Sequence, residues 1–318
     1  MIVRAHVAPV RGPAHVRFAG ALLAQLHRAG LALRQVDGWA QVGGRDGEIR
    51  GLGVDANGRL WLVAGRGGAV TLERLGPEGQ PAWSRPIVAP PGPGRMHVFP
   101  PRTLGAPCRL ATRSTTTHIW SYAGAELAAP LADGTVGPEA QAEADPGAFD
   151  TLTELADGTL LWEELGELGW LAPDAPEAPG RCPHEPDEPP LHLLAAGHHL
   201  WASFADGSVA ALQGDRLTGY QVCAPTLQGL GRIVSLATDA AGAVATLSSA
   251  GPAGPFAITV ARSTGEPTSI AMAAPDMAAW PHLELALDST LDRVALLYGE
   301  DVGEVSLWSS TSGEPIGP

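Results

Sequence analysis

Lysine is absent from this chain, and all twenty of its cations are arginine. No lysine Schiff base, Walker A lysine or Ser–Lys dyad can therefore be built from it. Aromatic residues make up only 5% of the sequence. The three cysteines, Cys108, Cys182 and Cys223, are odd in number and widely spaced. They fit reduced, incidental thiols better than a disulfide framework or a CxxC metal knuckle. No apolar run reaches the roughly 18 residues of a membrane span. The opening MIVRAHVAPVRGP places Arg4 and Pro9 where a signal peptide needs an unbroken apolar stretch. A cytoplasmic location is the expectation.

What the chain has in excess is punctuation. Forty glycines and 29 prolines interrupt a sequence that is 45% apolar. That balance suits many short strands joined by tight turns. With 318 residues the chain can bury a large core. One pattern recurs: an apolar segment ends in a small polar or glycine turn, and a second apolar segment follows at once. The copies are IRGLGVDANGRLWLVA (49–64), FDTLTELADGTLLWEE (149–164), LHLLAAGHHLWASF (191–204), IVSLATDAAGAVATL (233–247) and LELALDSTLDRVALLY (283–298). Their turns fall near Gly58, Gly158, Gly197, Gly242 and Leu291. RTLGAPCRLATRS (102–114) supplies a degenerate copy in the first gap. The spacing is then about 40–50 residues, the period of a four-stranded propeller blade.

Six units follow from residue 46: 46–90, 95–131, 148–185, 191–223, 231–273 and 281–318. Each is expected to run inner strand, small turn, second strand, third strand and a shorter fourth. AVTLERL (69–75) and THIWSYA (117–123) are expected third strands, and ELAAPL (126–131) the fourth strand of unit two. Runs such as VALLY and LLW are apolar without a helical period, as strands buried on both faces are. Residues 1–44 do not match the repeat. IVRAHVAPV alternates like a strand, and GALLAQLHRA (20–29) places Leu22, Leu23, Leu26 and Ala29 on one helical face, with Gly30 as a cap. LALRQV-DG-WAQV (31–42) reads as a hairpin turning at Asp37-Gly38. The expectation is an all-β fold: a six-bladed β-propeller over 45–318, preceded by a small strand-helix-hairpin (βαββ) module over 1–44. It becomes seven-bladed if the N-terminal strands complete a blade. Two proline-bearing acidic stretches, 132–147 and 172–190, are expected as exposed linkers.

Charge is unevenly placed. Residues 1–113 hold 15 Arg and six acids, a net of +9, whereas 114–318 hold five Arg and 28 acids, a net of −23. A molecule polarised in this way repels phosphate over most of its surface, so nucleic acid is not an expected partner. Opposite sectors could also dock on each other in a salt-sensitive homo-oligomer.

HIWSYAGAEL (118–127), ITVARSTGEP (258–267) and SLWSSTSGEP (306–315) resemble the end of a WD40 repeat, where a Trp-Asp strand end precedes a Thr-Gly turn. Trp120 and Trp308 match the tryptophan, and Gly265 and Gly313 match the turn glycine. The resemblance covers 46–318 and implies a WD40-like propeller. No copy carries Asp after the Trp, and Gly197-His198 is the only Gly-His pair. The segment AHVRFAGALLAQLHRAGLALRQVDGWAQV (14–42), ahead of a degenerate propeller in an arginine-only chain of GC-rich character, resembles the propeller component of bacterial three-gene systems. That resemblance implies two partners, a MoxR-type AAA+ ATPase and a von Willebrand A domain protein.

Residue chemistry points away from catalysis. His198 and His199 are adjacent, and neighbours on a strand face opposite ways, so they read as a hairpin rather than a shared metal site. His184, near Cys182 and Glu185, matches no zinc spacing. The Asn57-Gly58, Asp157-Gly158 and Asp206-Gly207 pairs read as turns, since Asn and Asp suit tight hairpins. Gly65-Arg66-Gly67-Gly68 has no following helix and is not a dinucleotide loop. RSTTTH (113–118) has no GxSxG elbow. Trp61, Trp162 and Trp201 follow the recurring turn and read as core. The expected function is therefore a non-catalytic protein-binding scaffold or adaptor with no cofactor, no metal and no membrane partner. The residues expected to make contact are Arg45, Arg50, Arg59 and Arg66 in the basic sector and Asp174, Glu177, Glu185, Asp187 and Glu188 in the acidic loop. The alternatives are a propeller hydrolase or lactonase with a channel metal, and a propeller that binds sugar or another small ligand.

Overall fold

The computed structural model describes residues 15–19, 22–27, 30–35 and 38–41 by their backbone. It also describes 48–316, except 56, 58, 67–68, 77–80, 89–95, 104, 114–115, 125–130, 145–150, 165, 183–188, 197, 224–225, 240, 252–254, 263–265, 273–282 and 299–303. Short apolar runs between turn residues become strands throughout. The N-terminal sheet is a meander of β1 (His15–Ala19), β2 (Leu22–His27), β3 (Gly30–Gln35) and β4 (Gly38–Gln41). Unit one is β5 (Glu48–Val54), β6 (Leu60–Arg66), β7 (Ala69–Leu75) and β8 (Pro81–Ile87). Unit two is β9 (Met96–Phe99), β10 (Cys108–Arg113), β11 (Thr117–Tyr122) and β12 (Ala140–Ala144). Unit three is β13 (Thr153–Glu154), β14 (Leu160–Glu164), β15 (Glu167–Leu171) and β16 (Gly180–Cys182). Unit four is β17 (His192–Ala196), β18 (His199–Ser203), β19 (Val209–Asp215) and β20 (Gly219–Val222). Unit five is β21 (Arg232–Thr238), β22 (Val244–Ser249), β23 (Phe256–Ala261) and β24 (Thr268–Met272). Unit six is β25 (Glu284–Asp288), β26 (Arg293–Tyr298) and β27 (Glu304–Ser309), and an antiparallel bridge from Trp308 to Pro315 begins a fourth partner.

First strands of successive units are neighbours. β13 lies beside β17, β17 beside β21 and β21 beside β25, while β1 touches both β25 and β5. The sheets thus follow one another around an axis, with their faces packed together. Alternation along each strand feeds two interfaces at once. Leu160 and Trp162 of β14 join Ala111, Ile119 and Ala142 of unit two, whereas Leu161 faces Leu193, Leu200 and Leu212 of unit four. Units one and two approach more closely still. β5 and β9 pair in parallel, Gly51 with Met96 and Leu52 with His97, joining both units into one eight-stranded sheet. Glycine permits this approach: a Cβ on Gly51 would lie 2.7 Å from the Met96 carbonyl oxygen.

Three expectations are corrected. In place of the helix expected over 20–29, the described residues Leu22–His27 form the strand β2, and β3 begins at Gly30. The stretch between two glycines is shorter than an isolated helix needs. Pairing with β1 and β3 satisfies its backbone instead. The fourth strand of unit two is β12, inside the expected linker 132–147, and Leu131 of ELAAPL belongs to no strand. In β12 Ala140 and Ala142 are buried while Gln141 and Glu143 are exposed, an alternation carried by alanine alone. The expected loop 172–190 contains β16, which pairs Leu168 with Cys182 and Trp170 with Gly180. Residues 125–130 and 183–188, with Gly58, Gly197 and Gly265, lie outside the described residues.

Candidate interaction face

The turns between first and second strands meet at one end of the sheets, because each neighbours the next. The Ser289 amide of unit six donates to Asp239 of unit five at 2.6 Å. The His199 ring of unit four lies against the Gly242 turn of unit five. Arg109 of unit two donates to the Gly158 carbonyl in the turn of unit three. Gly158 adopts φ +82°, which turns that carbonyl toward the guanidinium without a Cβ penalty.

In units one, three, five and six the turn consumes its own carboxylate. Asp55 accepts from the amides of Asn57 and Arg59 at 2.8 and 3.0 Å, and from the Trp61 indole at 3.1 Å. Asp157 accepts from the Thr159 amide, and Asp239 from the amides of Ala241 and Ala243. Asp288 accepts from Leu291 N–H, Thr290 Oγ1 and Arg293. Burial pushes the Asp288 carboxyl up, but these donors outweigh it and hold the group below the ordinary aspartate value. Asp206 serves the β18–β19 turn, at the opposite end of the sheets, in the same way, accepting from the Ser208 amide. The aspartate-bearing first turns form a rigid set at one end of the ring.

A buried ionic cluster locks units two and three beneath this face. Glu154 Oε1 accepts from Arg109 at 3.1 Å and Oε2 from Arg102 at 2.7 Å, with Arg109 only 1% exposed and Glu154 5%. Burial pushes the Glu154 carboxyl up against the pull of both guanidiniums, and lowers the Arg109 guanidinium. Nothing in the sequence marked these three residues, because their partners lie in different units.

The expected contact residues separate. Arg59 is exposed on the first turn of unit one. Arg50 is half-buried near the start of β5, and Arg66 ends β6, so both sit at the opposite end of the hairpin from Arg59. Asp174, 78% exposed, and exposed Glu177 lie between β15 and β16. Arg45, Glu185, Asp187 and Glu188 lie outside the described residues. The structure adds partners the sequence missed. Arg216 of the β19–β20 turn approaches Asp174 at 3.9 Å and stacks over Trp170 at 5.2 Å. Asp215 fixes that turn by accepting from the amides of Leu217 and Thr218, which hold its carboxyl below the usual range.

Among the described residues, no group of three or more His, Cys, Asp or Glu could hold a metal ion. Cys108 and Cys182 are buried, and burial pushes the Cys182 thiol up to about 11, away from a reactive thiolate. Trp61, Trp162 and Trp201 are buried between sheets. No described helix is long and apolar enough to cross a membrane.

The fold is that of a β-propeller. Similar solved structures include Raptor from Chaetomium thermophilum, 14% identical with a TM-score of 0.60, covering 95% of this chain and 28% of that one. Another is puromycin hydrolase, 15% identical, TM-score 0.59, covering 96% of this chain and 53% of that one. A third is a chain of the Mitotic Checkpoint Complex, 12% identical, TM-score 0.58, covering 92% and 88%. The chain thus spans under a third of the Raptor chain and about half of the hydrolase. At these identities the likeness is one of fold. No protein-family model matches the chain, and no curated protein matches it in sequence.

Proposed function

We propose that this chain is a non-catalytic protein-binding scaffold of a bacterial multiprotein system, with an AAA+ ATPase and a von Willebrand A domain protein as its partners. The observation that supports it best is how the polar residues of the turn face are used. The carboxylates of its turns are engaged with backbone amides, which makes the face rigid, while Arg59, Asp174 and Glu177 remain exposed on it. A rigid face with charges of both signs suits orienting a partner by electrostatic complementarity. Likeness to a chain of the Mitotic Checkpoint Complex agrees with an assembly role at the level of fold. We also read the N-terminal sheet as a further blade that closes the ring between β25 and β5.

Affinity purification of the tagged chain at low and high salt tests this. The expected result is a stoichiometric AAA+ or von Willebrand A protein retained at low salt, released at high salt and lost from an Asp174→Arg/Glu177→Arg variant. A chain that retains no protein at low salt overturns the scaffold reading, and metal-dependent ester or lactone hydrolysis would replace it.

A further inference from the structure

We propose that the seam between units two and three binds a monatomic anion of the chloride class, held by Arg109 and Ser121. The two residues are direct partners across β10 and β11. Cross-strand partners share one face of a sheet, with Cβ atoms about 4.5–5.5 Å apart, so one small acceptor can meet both. That face is the one toward unit three. The Arg109 guanidinium donates there to Glu154, Gly158 and Leu171. Ile119, two residues before Ser121, packs on the same side with Leu152, Leu160 and Trp162. Arg109 and Ser121 are each 1% exposed, yet Arg109 Nε and Ser121 Oγ have no hydrogen-bond partner. A buried donor left unpaired is destabilising. Two of them at facing positions mark a place for an acceptor.

Charge decides which acceptor it is. The cluster sets two guanidiniums, Arg102 and Arg109, against the single carboxylate of Glu154, a surplus of one positive charge. Asp157, the other acid that Arg109 feels, is exposed, and its carboxylate is taken up by the amide and hydroxyl of Thr159. Water suits the place less well. A buried water needs acceptors for its own hydrogens, and Glu154 Oε1 and the Gly158 and Leu171 carbonyls already accept from Arg109. An anion only accepts, and it balances the surplus. Size follows from the packing. Ser121 pairs on its other side with Ala140, so the row beyond Arg109 carries small side chains, and both donor atoms are closed to solvent. A single-atom halide fits such a place, whereas phosphate or a carboxylate does not. Arg102, 30% exposed, is the member of the cluster open to solvent, and exchange of the ion runs past it.

This site is independent of the scaffold reading. Thermal melting of the full chain in sodium chloride, sodium bromide and sodium gluconate, at equal ionic strength and pH, tests it. Chloride and bromide are expected to raise the melting temperature by about 2–4 °C over gluconate. Ser121→Ala is expected to keep the fold and lose that rise, and comparing the two chains removes the general salt effect of each anion. Crystals of the unsubstituted chain grown in bromide are expected to show an anomalous peak between Arg109 Nε and Ser121 Oγ. A melting temperature indifferent to the anion overturns the proposal, and Arg109 Nε then bonds Ser121 Oγ directly or through water. So does a halide-dependent rise that survives in Ser121→Ala, or bromide found only elsewhere.

Discussion

At the scale of single residues, two kinds of position set the structure. Gly51 has no Cβ where the Met96 carbonyl would be 2.7 Å away. Gly51→Ala should cost about 1–3 kcal/mol by forcing β5 and β9 apart, read as a lower urea midpoint. Glu154 matters for the opposite reason, because its partner is buried. Glu154→Ala leaves Arg109, 1% exposed, without its carboxylate. Removing one member of a buried pair typically costs about 3–5 kcal/mol. Equilibrium denaturation checks this, and a loss below about 1 kcal/mol would show that the cluster behaves as a surface pair. The glycine-rich character of the chain was visible in the sequence, yet Arg102, Arg109 and Glu154 were not legible as a set. A spacing rule cannot join residues whose contact is made between sheets.

At the scale of the element, the hairpin with its aspartate turn is the repeating device. Asp239 caps its own turn through Ala241 and Ala243 and reaches the next unit through Ser289. Asp239→Ala should cost about 1–3 kcal/mol, since partly buried amides lose their acceptor. Asp239→Asn should recover part of that, and thermal melting of the two variants separates the cases. Most strands were legible: AVTLERL is β7, and THIWSYA contains β11. The failures share a cause. Residues 20–29 had a leucine spacing compatible with a helix, and pairing with flanking strands overrode it. β12 was hidden because its buried positions are alanines, whose signal is too weak to mark a strand.

At the scale of the whole molecule, charge and acid response are linked. Asp133, Asp206, Asp215, Asp288 and Asp292 are all held below the ordinary aspartate value, chiefly by hydrogen bonds from serine, threonine and backbone donors that prevail over what burial there is. A depressed carboxylate contributes stability above its unfolded pKa and loses it as pH falls through the folded one. Glu154, shifted upward, has the opposite sign: its share is present at low pH and lost as pH rises. The downward set outnumbers it, so melting temperature should hold from neutral pH to about pH 5 and fall below about pH 4. A melting temperature that rises on acidification past that point would contradict the assignment.

The sequence by itself determined the all-β class, the repeat period and the recurring turns, because each is written in neighbours a few residues apart: alternation, glycine and Asp-Gly. It also determined the polarised charge, a property of composition alone. Only the tertiary structure decided that the N-terminal segment is a four-stranded sheet between β5 and β25, that units one and two share one sheet, and that Asp174 meets Arg216. Those outcomes depend on which surfaces face each other once the sheets pack around an axis, and local periodicity carries no record of that.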